Sequence, residues 1–425
     1  MYKRQVLDRL GRAGERYRTQ AYSGLSGRRR QLSTTQLHGL LDIVCDWCDA
    51  TVRANRRPDG LYHSYNTLEL SDGAATVGHL TEMLEGQVAV LSCGALTSAE
   101  CLDLLGALRT SALYRPDRHS YQLYPDRELP RFLERNTVTL GPDDAAAAAL
   151  FGALAGAADR SLVVRDDSGG YHFAPGIRNA ADVAAVLEGL AANSPQADLA
   201  RAAGPQVQAA FERVFRHRQF TGRSGTFFAY EGLGSVYWHM VAKLLLAVQE
   251  CHEGAVLAGE SAQVLDEFAQ RYEDIRTGLG YCRTPQQYGA FPTDPYSHSP
   301  AGQGARQPGM TGQVKEEILT RLAELGLRVT DGRITFAPQL LRAGEWRNDH
   351  TLEFTFCDVP IHYRVDPDAP HLEVAVVHRD GTRRHHHDGR IDHDDSRRIF
   401  ARDGSVLAVE VSFRRIPDGP VPPGE

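Results

Sequence analysis

Hydrophobic residues recur at three- and four-residue spacing through most of the first 326 positions, which is the pattern of amphipathic helices. The pattern predicts helices at Leu37 to Arg56, Val77 to Leu91, Ala99 to Ser111, Ala145 to Ala157, Ala181 to Ala192, Gln206 to Phe215, Ser235 to Glu250, Val264 to Thr277 and Gln313 to Leu325. Long Gly-, Pro- and Tyr-containing segments separate them. We therefore expect a mainly α architecture in which helices pack as an α/α array.

After Leu327 the period of the pattern changes to two, which is typical of strands with one buried face. Strands are predicted at Arg333 to Phe336, Leu352 to Phe356, Ile361 to Val365, Leu372 to Val377 and Ser405 to Phe413. Asp-Gly pairs between them favour tight turns. The sequence thus predicts an α region over residues 1–326, a C-terminal antiparallel β domain over residues 327–416, and a disordered tail over residues 417–425.

The segment Gly280 to Met310 has no helical pattern. Connections in compact domains are usually about 4–6 residues long, and longer ones are commonly functional. Because this segment is rich in aromatic residues, we expect it to fold over a site rather than to act as a linker.

Composition and charge exclude several classes of protein. The net charge of −7 argues against a nucleic-acid-binding surface, which is normally basic. No apolar run reaches the 18 residues that a membrane span needs. Seven scattered cysteines do not form a disulfide framework and fit reduced thiols in a cytoplasm. Cys45 and Cys48 have metal or redox spacing but lie in a helical pattern without a second pair, so no metal site is predicted there.

Four loops combine aromatic rings with polar groups, which is the mixture that sugar-binding sites use to stack on pyranose rings and hold hydroxyl groups. The predicted substrate-binding residues in these loops are Tyr62, Tyr65, Asn66, Tyr121, Tyr124, Tyr230, Trp238, Tyr288 and Tyr296. Any one of these rings, taken alone, is more often part of a core. Their clustering with acids favours a carbohydrate site.

Three carboxylates are candidates for proton transfer in such a site. Glu231 stands in the segment YEGLGSVYWHMVAK, among glycines and aromatic residues and just before an apolar helix. Asp294 lies in the long loop, and Glu85 lies in a helix with apolar neighbours that would raise its pKa. The alternative for the Glu231 segment is a helix-capping turn.

The acids Glu82, Glu316 and Glu317 are expected to be ordinary helix-surface residues.

A phosphate site is predicted where the segment RQPGMTG meets the helix that starts at Gln313, because backbone N–H groups at a helix start bind anions. The residues proposed for it are Arg223, His298, Arg306, Thr311 and Gly312. The alternative is that Thr311 simply caps the helix.

The segment Arg383 to Asp395, RRHHHDGRIDHDD, suggests metal binding by its composition alone. It lies between predicted strands around a His-Asp-Gly turn, so a solvated hairpin is the favoured interpretation. No metal and no cofactor are predicted for the protein.

The motifs of the second half of the chain follow a distinctive order: Asp294-Pro-Tyr296, Gly302 to Gly309, Thr311-Gly312, Leu325-Gly326 and Asp331-Gly332. This order, over Glu212 to Phe413, resembles the catalytic region of inverting sugar phosphorylases of glycoside hydrolase family 94. The resemblance implies an (α/α)6 barrel followed by a β domain. It also implies a role in phosphate binding for Thr311 and Gly312.

The Asp-Trp-Asn-Asp segment that supplies the general acid in that family is absent here, and Tyr230-Glu231-Gly232 is its nearest counterpart by position. Glu231 is therefore the predicted general acid. If water replaces phosphate as the nucleophile, a second carboxylate must activate it, with Asp294 as first candidate and Glu85 as second.

A complete barrel of this type has twelve helices, and the sequence predicts nine. The opening peptide MYKRQ is typical of a translated sequencing adapter. We expect the barrel to be incomplete at the N-terminus and the natural reading frame to begin upstream.

The function expected from these patterns is cleavage of a glycosidic bond with inversion, by phosphate or by water. The expected partners are an oligosaccharide and inorganic phosphate, with no nucleic acid and no membrane. The alternative is a non-catalytic carbohydrate-binding or scaffold module on the same barrel.

Overall fold

The computed structural model describes residues 2–24, 26–27, 29–71, 74–126, 132–215, 234–291, 296–300, 302–308, 313–366 and 372–413. The chain forms two compact units, which we call unit 1 (residues 1–125 and 234–425) and unit 2 (residues 126–233). Unit 2 is thus an insertion in the sequence of unit 1. The sequence pattern gave no sign of this division.

The α-helices in chain order are α1 (Tyr2–Tyr22), α2 (Thr34–Ala54), α3 (Leu84–Ser92), α4 (Ser98–Thr110), α5 (Phe132–Arg135), α6 (Ala145–Gly156), α7 (Ala180–Asn193), α8 (Ala197–Phe215), α9 (Trp238–Ala258), α10 (Ala262–Thr277), α11 (Pro285–Tyr288), α12 (Gln313–Glu324) and α13 (His393–Ala401). Short 3-10 turns span Pro116–Arg118, Pro142–Asp144, Gly280–Cys282 and Ala343–Glu345. Helices α5 to α8 belong to unit 2.

The strands are β1 (Thr67–Ser71), β2 (Ala74–Gly78), β3 (Tyr114–Arg115), β4 (Ser120–Tyr121), β5 (Val163–Arg165), β6 (Tyr171–Phe173), β7 (Ser235–Tyr237), β8 (Tyr296–Pro300), β9 (Arg306–Pro308), β10 (Leu327–Thr330), β11 (Arg333–Phe336), β12 (Thr351–Phe356), β13 (Val359–Val365), β14 (Glu373–His378), β15 (Arg383–His386) and β16 (Val406–Phe413). Strands β5 and β6 belong to unit 2.

Helix α9 is the centre of the helical part of unit 1. Its apolar side chains, such as Val241, Leu244 and Leu245, are fully buried, and the helix packs against α3, α4, α10 and α12. It ends at Gly259, whose φ of 71° suits the left-handed conformation in which helices often terminate. The helices predicted near α9, α10 and α12 are confirmed, apart from shifts at their ends.

The predicted helix from Val77 to Leu91 is wrong in its first half. Ala74–Gly78 forms β2, which pairs antiparallel with β1, and α3 begins only at Leu84. Val77 lies on β2, where it is 54% exposed. The apparent helical spacing from Val77 to Leu91 therefore combined apolar residues of a strand with those of a separate helix.

Helix α2 is amphipathic, but none of its residues is buried. Ser33 caps it in a capping box with Gln36, which explains where the helix begins. Large apolar side chains, among them Leu40 and Trp47, remain more than half exposed. Cys45 and Cys48 are free and exposed on this helix.

The C-terminal strands form a five-stranded sheet in the order β12-β13-β16-β14-β15. The sheet is largely antiparallel as predicted, but β13 and β16 pair in parallel, with Ile361 opposite Val409. Its core contains Tyr363, whose hydroxyl donates to the carbonyl of Leu325 at the end of α12 over 2.5 Å. The predicted tail, residues 417–425, lies outside the described residues.

Unit 2 has its own hydrophobic core, formed by α6, α7, α8 and the β5–β6 hairpin. Phe151, Phe173, Phe211 and Phe215 pack within it as a series of tilted and edge-to-face rings. Helix α8 begins nine residues earlier than predicted, at Ala197, and contains Pro205. The unit therefore buries enough apolar surface to form a compact body of its own.

No α-helix among the described residues combines the length and the apolar character needed to cross a bilayer.

Candidate functional site

The three-stranded sheet β7-β8-β9 brings predicted site residues together in unit 1. Tyr237 lies opposite His298, and His298 lies opposite Arg306 on the next strand. Directly opposed residues of antiparallel strands share a face of the sheet. The rings of Tyr237 and His298 stack with centroids 4.8 Å apart and planes 10° apart. A phenol, an imidazole and a guanidinium thus form a row on one face of this sheet.

Helix α12 is tied to this row through His239, in the first turn of α9. His239 Nδ1 lies 3.4 Å from the Tyr237 hydroxyl oxygen, and its Nε2 lies 3.3 Å from Glu316 Oε2. The Glu316 side chain is only 3% exposed, and Lys315 Nζ approaches its other oxygen at 3.4 Å. The buried carboxylate therefore lies beside the imidazole without the geometry of a hydrogen bond, and α12 packs against α9 next to the sheet.

Glu316 corrects an expectation from the sequence. It was interpreted as a helix-surface acid, but α12 buries its polar face, which consists of Gln313, Glu316, Thr320 and Glu324. The spacing of these polar residues at three and four positions was the signal that could have found them. His239 was missed because it stands among aromatic residues at a helix start.

Glu317, the neighbouring acid, is half-buried and accepts a hydrogen bond of 2.8 Å from the Gln313 side chain. Its burial raises the pKa of the carboxyl group above the ordinary value. The N-terminal half of α12 therefore carries two acids in different surroundings.

Glu85 lies in the first turn of α3 and is half-buried. The backbone N–H of Leu84 donates to the carbonyl of Leu123 over 3.0 Å, and the N–H of Leu123 donates to the carbonyl of Ser235 over 3.1 Å. The start of α3 is thereby connected to β7 through a single intervening residue. Glu85 belongs to the same region of unit 1 as the sheet.

Five of the predicted substrate-binding rings are buried in the interior. Trp238 is 2% exposed, packs edge-to-face on Tyr288, and donates from Nε1 to the hydroxyl of Ser299 over 2.9 Å. The five rings are those of Tyr62, Tyr121, Tyr124, Trp238 and Tyr288. Their faces are covered by protein in this structure, so they support the shape of the site rather than offering a surface for a sugar.

Tyr65, Asn66 and Tyr296 are more accessible. Tyr65 is 51% exposed, and Tyr296 is half-buried at the start of β8. The side-chain nitrogen of Asn66 donates to Asn55 Oδ1 over 2.7 Å, and its oxygen lies 2.7 Å from His79 Nδ1. These three residues retain surface that a ligand can contact.

Several predicted site residues lie outside the described residues. They are Glu231, Asp294, Tyr230, Arg223, Thr311 and Gly312. The described chain resumes at Gly234, just before β7, at Tyr296, the first residue of β8, and at Gln313, the first residue of α12.

Unit 2 contains an open cavity of about 670 Å³ whose lining includes Arg135, Thr137, Asp144 and Arg213. Asp144 accepts from the Gly141 backbone N–H and pairs with Arg213 at 2.6 Å. No residue predicted as catalytic or ligand-binding lines this cavity. Asp144 and Arg213 are engaged with one another, so the cavity is weaker evidence for a reaction site than the sheet of unit 1.

Comparison with known proteins adds a finding for unit 2. Residues 129–218 match the family described as GH149 phosphorylase insertion domain 2. The matched residues lie within unit 2, which is itself inserted into unit 1. No curated protein matches the chain. Through this inserted unit, the chain is similar to the GH149 phosphorylases.

Proposed function

We propose that the protein is a carbohydrate phosphorylase, which cleaves a glycosidic bond with inorganic phosphate. The observation that carries the proposal is the cross-strand pair of His298 and Arg306, which places an imidazole and a guanidinium on one face of a sheet. Guanidinium groups bind phosphate through paired, charge-assisted hydrogen bonds. The similarity of unit 2 to an insertion domain of GH149 phosphorylases supports the same class of reaction.

The start of α12 completes the proposed phosphate site. Helix α12 packs against α9, which directly follows β7, and places Glu316 beside His239; Thr311 and Gly312 immediately precede α12 in the chain. Backbone N–H groups and a hydroxyl at a helix start suit an oxyanion. We therefore assign phosphate binding to His298, Arg306, Thr311 and Gly312, with Arg223 as a further cation.

The reaction proceeds with inversion at the anomeric carbon. Phosphate attacks this carbon from the face opposite to the leaving oxygen, so a carbon–oxygen bond to phosphate forms as the glycosidic bond breaks. Glu231 transfers its proton to the leaving oxygen. The products are a sugar 1-phosphate and the shortened sugar, and Glu231 recovers a proton from solvent.

The helices α3, α4, α9, α10 and α12 are proposed to be part of an (α/α)6 barrel, on the basis of their packing around α9. Tyr65, Asn66 and Tyr296 are the proposed contacts to the oligosaccharide. Asp294, and after it Glu85, would be the general base if water were the nucleophile.

Kinetics of two single variants test the phosphate site. With β-linked disaccharides as substrates, His298→Ala and Arg306→Ala should each raise the KM for phosphate tenfold or more, with a smaller change in the KM for sugar. Arg397→Ala is the matched control, because Arg397 is 79% exposed on α13 and pairs only with its neighbour Asp394 in the described structure. Glu231→Gln should abolish turnover in a protein that still binds phosphate.

Two outcomes would overturn the proposal. Cleavage at an unchanged rate without phosphate would identify a hydrolase. Sugar binding by a folded protein that cleaves no linkage under either condition would instead favour the non-catalytic binding module.

A further inference from the structure

The C-terminal sheet holds a cluster of metal-ligand side chains outside the proposed phosphate site. His386 ends β15, Asp392 caps the start of α13, and Asp395 lies in the first turn of that helix. One ligand atom from each of the three lies within 4.8 Å of the others. Two elements that are separate in the fold therefore bring one imidazole and two carboxylates together.

Burial distinguishes this cluster from a group of exposed acids. Asp395 is 0% exposed, and within the described structure its Oδ2 has no hydrogen-bond donor. The atom His386 Nε2 is also buried without a hydrogen-bond partner. Buried polar atoms in proteins almost always have a partner, and an uncompensated buried carboxylate is costly. Two of the three side chains thus have a buried polar atom without a hydrogen-bond partner in the described structure.

A second imidazole lies next to the same carboxylate. His378, at the end of β14, is 4% exposed, and its Nε2 is 3.4 Å from Asp395 Oδ2 without the geometry of a hydrogen bond. His378 therefore faces the oxygen of Asp395 that lacks a hydrogen-bond donor among the described residues.

Arg384 supplies positive charge at the edge of the cluster. Its Nη1 lies 3.3 Å from Asp395 Oδ1 and 3.8 Å from Asp392 Oδ2. The Arg384 side chain is 48% exposed, so it can turn toward solvent when another cation binds. The guanidinium contacts Oδ1 of Asp395 and leaves Oδ2 without a hydrogen-bond donor in the described structure, and two carboxylates outnumber this single arginine.

We propose that His386, Asp392 and Asp395 bind a divalent transition-metal ion of the zinc or manganese type, with His378 positioning Asp395. A ligand set of one nitrogen and two carboxylate oxygens suits these ions. Asp392 is already fixed, because its Oδ1 accepts a 2.8 Å hydrogen bond from the backbone N–H of Asp395. Bound metal joins the end of β15 to the start of α13 and so stabilises the C-terminal sheet.

This site revises the interpretation of the segment Arg383 to Asp395 as a solvated hairpin. Most of β15 and its turn are exposed, whereas the second half of the segment starts a helix that buries Asp395. The site does not depend on the proposed phosphorylase activity.

Metal binding by the untagged full chain tests the proposal. After removal of metal with a chelator, titration calorimetry with Zn²⁺, and separately with Mn²⁺, should show one ion per chain. Asp395→Asn and His386→Ala should each weaken binding tenfold or more. His387→Ala and His393→Ala are matched controls, because both residues are exposed in the same segment, and they should bind as the parent does.

Arg384→Gln should change the affinity for metal in the opposite direction. Removing the competing guanidinium should strengthen metal binding. If Asp392 and Asp395 served only as salt-bridge partners of Arg384, the variant would instead make the protein less stable without strengthening metal binding. The proposal is overturned if the folded parent binds neither ion, or if His386→Ala, shown to be folded by circular dichroism, binds as tightly as the parent. It is equally overturned if the exposed-histidine controls lose binding and the Asp395 variant does not.

Discussion

Replacing Glu324 with glutamine should destabilise unit 1, because this carboxylate is the centre of a buried ionic cluster between α10 and α12. Its side chain is 3% exposed. It accepts from the Tyr272 hydroxyl at 2.6 Å and from Arg321 Nη1 at 2.8 Å, and Arg276 Nε lies 3.0 Å away. Glutamine has nearly the same size and one acceptor oxygen. Its NH2 group, however, would face N–H and O–H donors, from which it cannot accept a hydrogen bond.

The expected loss follows from what remains around Arg276, which is 10% exposed. Its other carboxylate, Glu345, is 3.6 Å away and also pairs with Arg321 at 2.6 Å. Removing one partner of a buried ion pair typically costs about 3–5 kcal/mol. Because Glu345 retains part of the compensation, we expect a loss of about 3 kcal/mol, at the low end of this range.

Urea unfolding followed by tryptophan fluorescence measures this effect in unit 1 alone, because Trp47, Trp238 and Trp346 all lie in that unit. Glu267→Gln is the control, since Glu267 makes an exposed pair with Arg271 on α10. Such pairs contribute roughly 0–1 kcal/mol. If the two variants unfold at the same urea concentration, the buried cluster does not stabilise the fold as argued.

Two further predictions concern a turn and a titration. Gly326→Ala should lower the free energy of unfolding of unit 1 by about 3 kcal/mol or more, because φ is +68° and an added Cβ would lie 2.1 Å from the carbonyl carbon of Ala337. Gly332 has a similar φ of +70° but no atom within 4 Å of an added Cβ. Gly332→Ala should therefore cost only about 1–2 kcal/mol in the same assay. An equal loss in both would contradict the steric argument. The hydrogen bond with Asp166 raises the pKa of His172 above 6.5, so its stabilisation of unit 2 is complete below this pH and is lost as pH rises through the folded pKa. An NMR titration should show this pKa fall in Asp166→Asn, and an unchanged value would refute the assigned cause.

The helices around α9 could be predicted from sequence because their buried faces are apolar and continuous over several turns. Val241, Leu244, Leu245 and Val248 repeat at the expected spacing and are all fully buried. The C-terminal strands were predictable for a similar reason, since alternation marks a sheet with one buried face. The parallel pairing of β13 with β16 was not, because strand order depends on contacts between residues far apart in sequence.

The inserted unit and the polar face of α12 escaped the same reasoning. Helices α6, α7 and α8 bury apolar residues at helical spacing as those of unit 1 do, so periodicity alone does not show which core they join. In α12 the buried residues Gln313 and Glu316 are polar, whereas Ile318 is 56% exposed. A prediction that buries only apolar residues therefore places the wrong face of α12 in the interior. For this reason the contact between Glu316 and His239 could not be predicted from the sequence pattern.

Phosphate consumption is the most direct test of the central claim. The full chain, incubated with β-linked disaccharides and inorganic phosphate, should convert phosphate into a sugar 1-phosphate that ³¹P NMR resolves, with the anomeric configuration inverted. Arg306→Ala should require at least tenfold more phosphate for the same rate. Release of free sugar with no change in the phosphate signal would contradict the account.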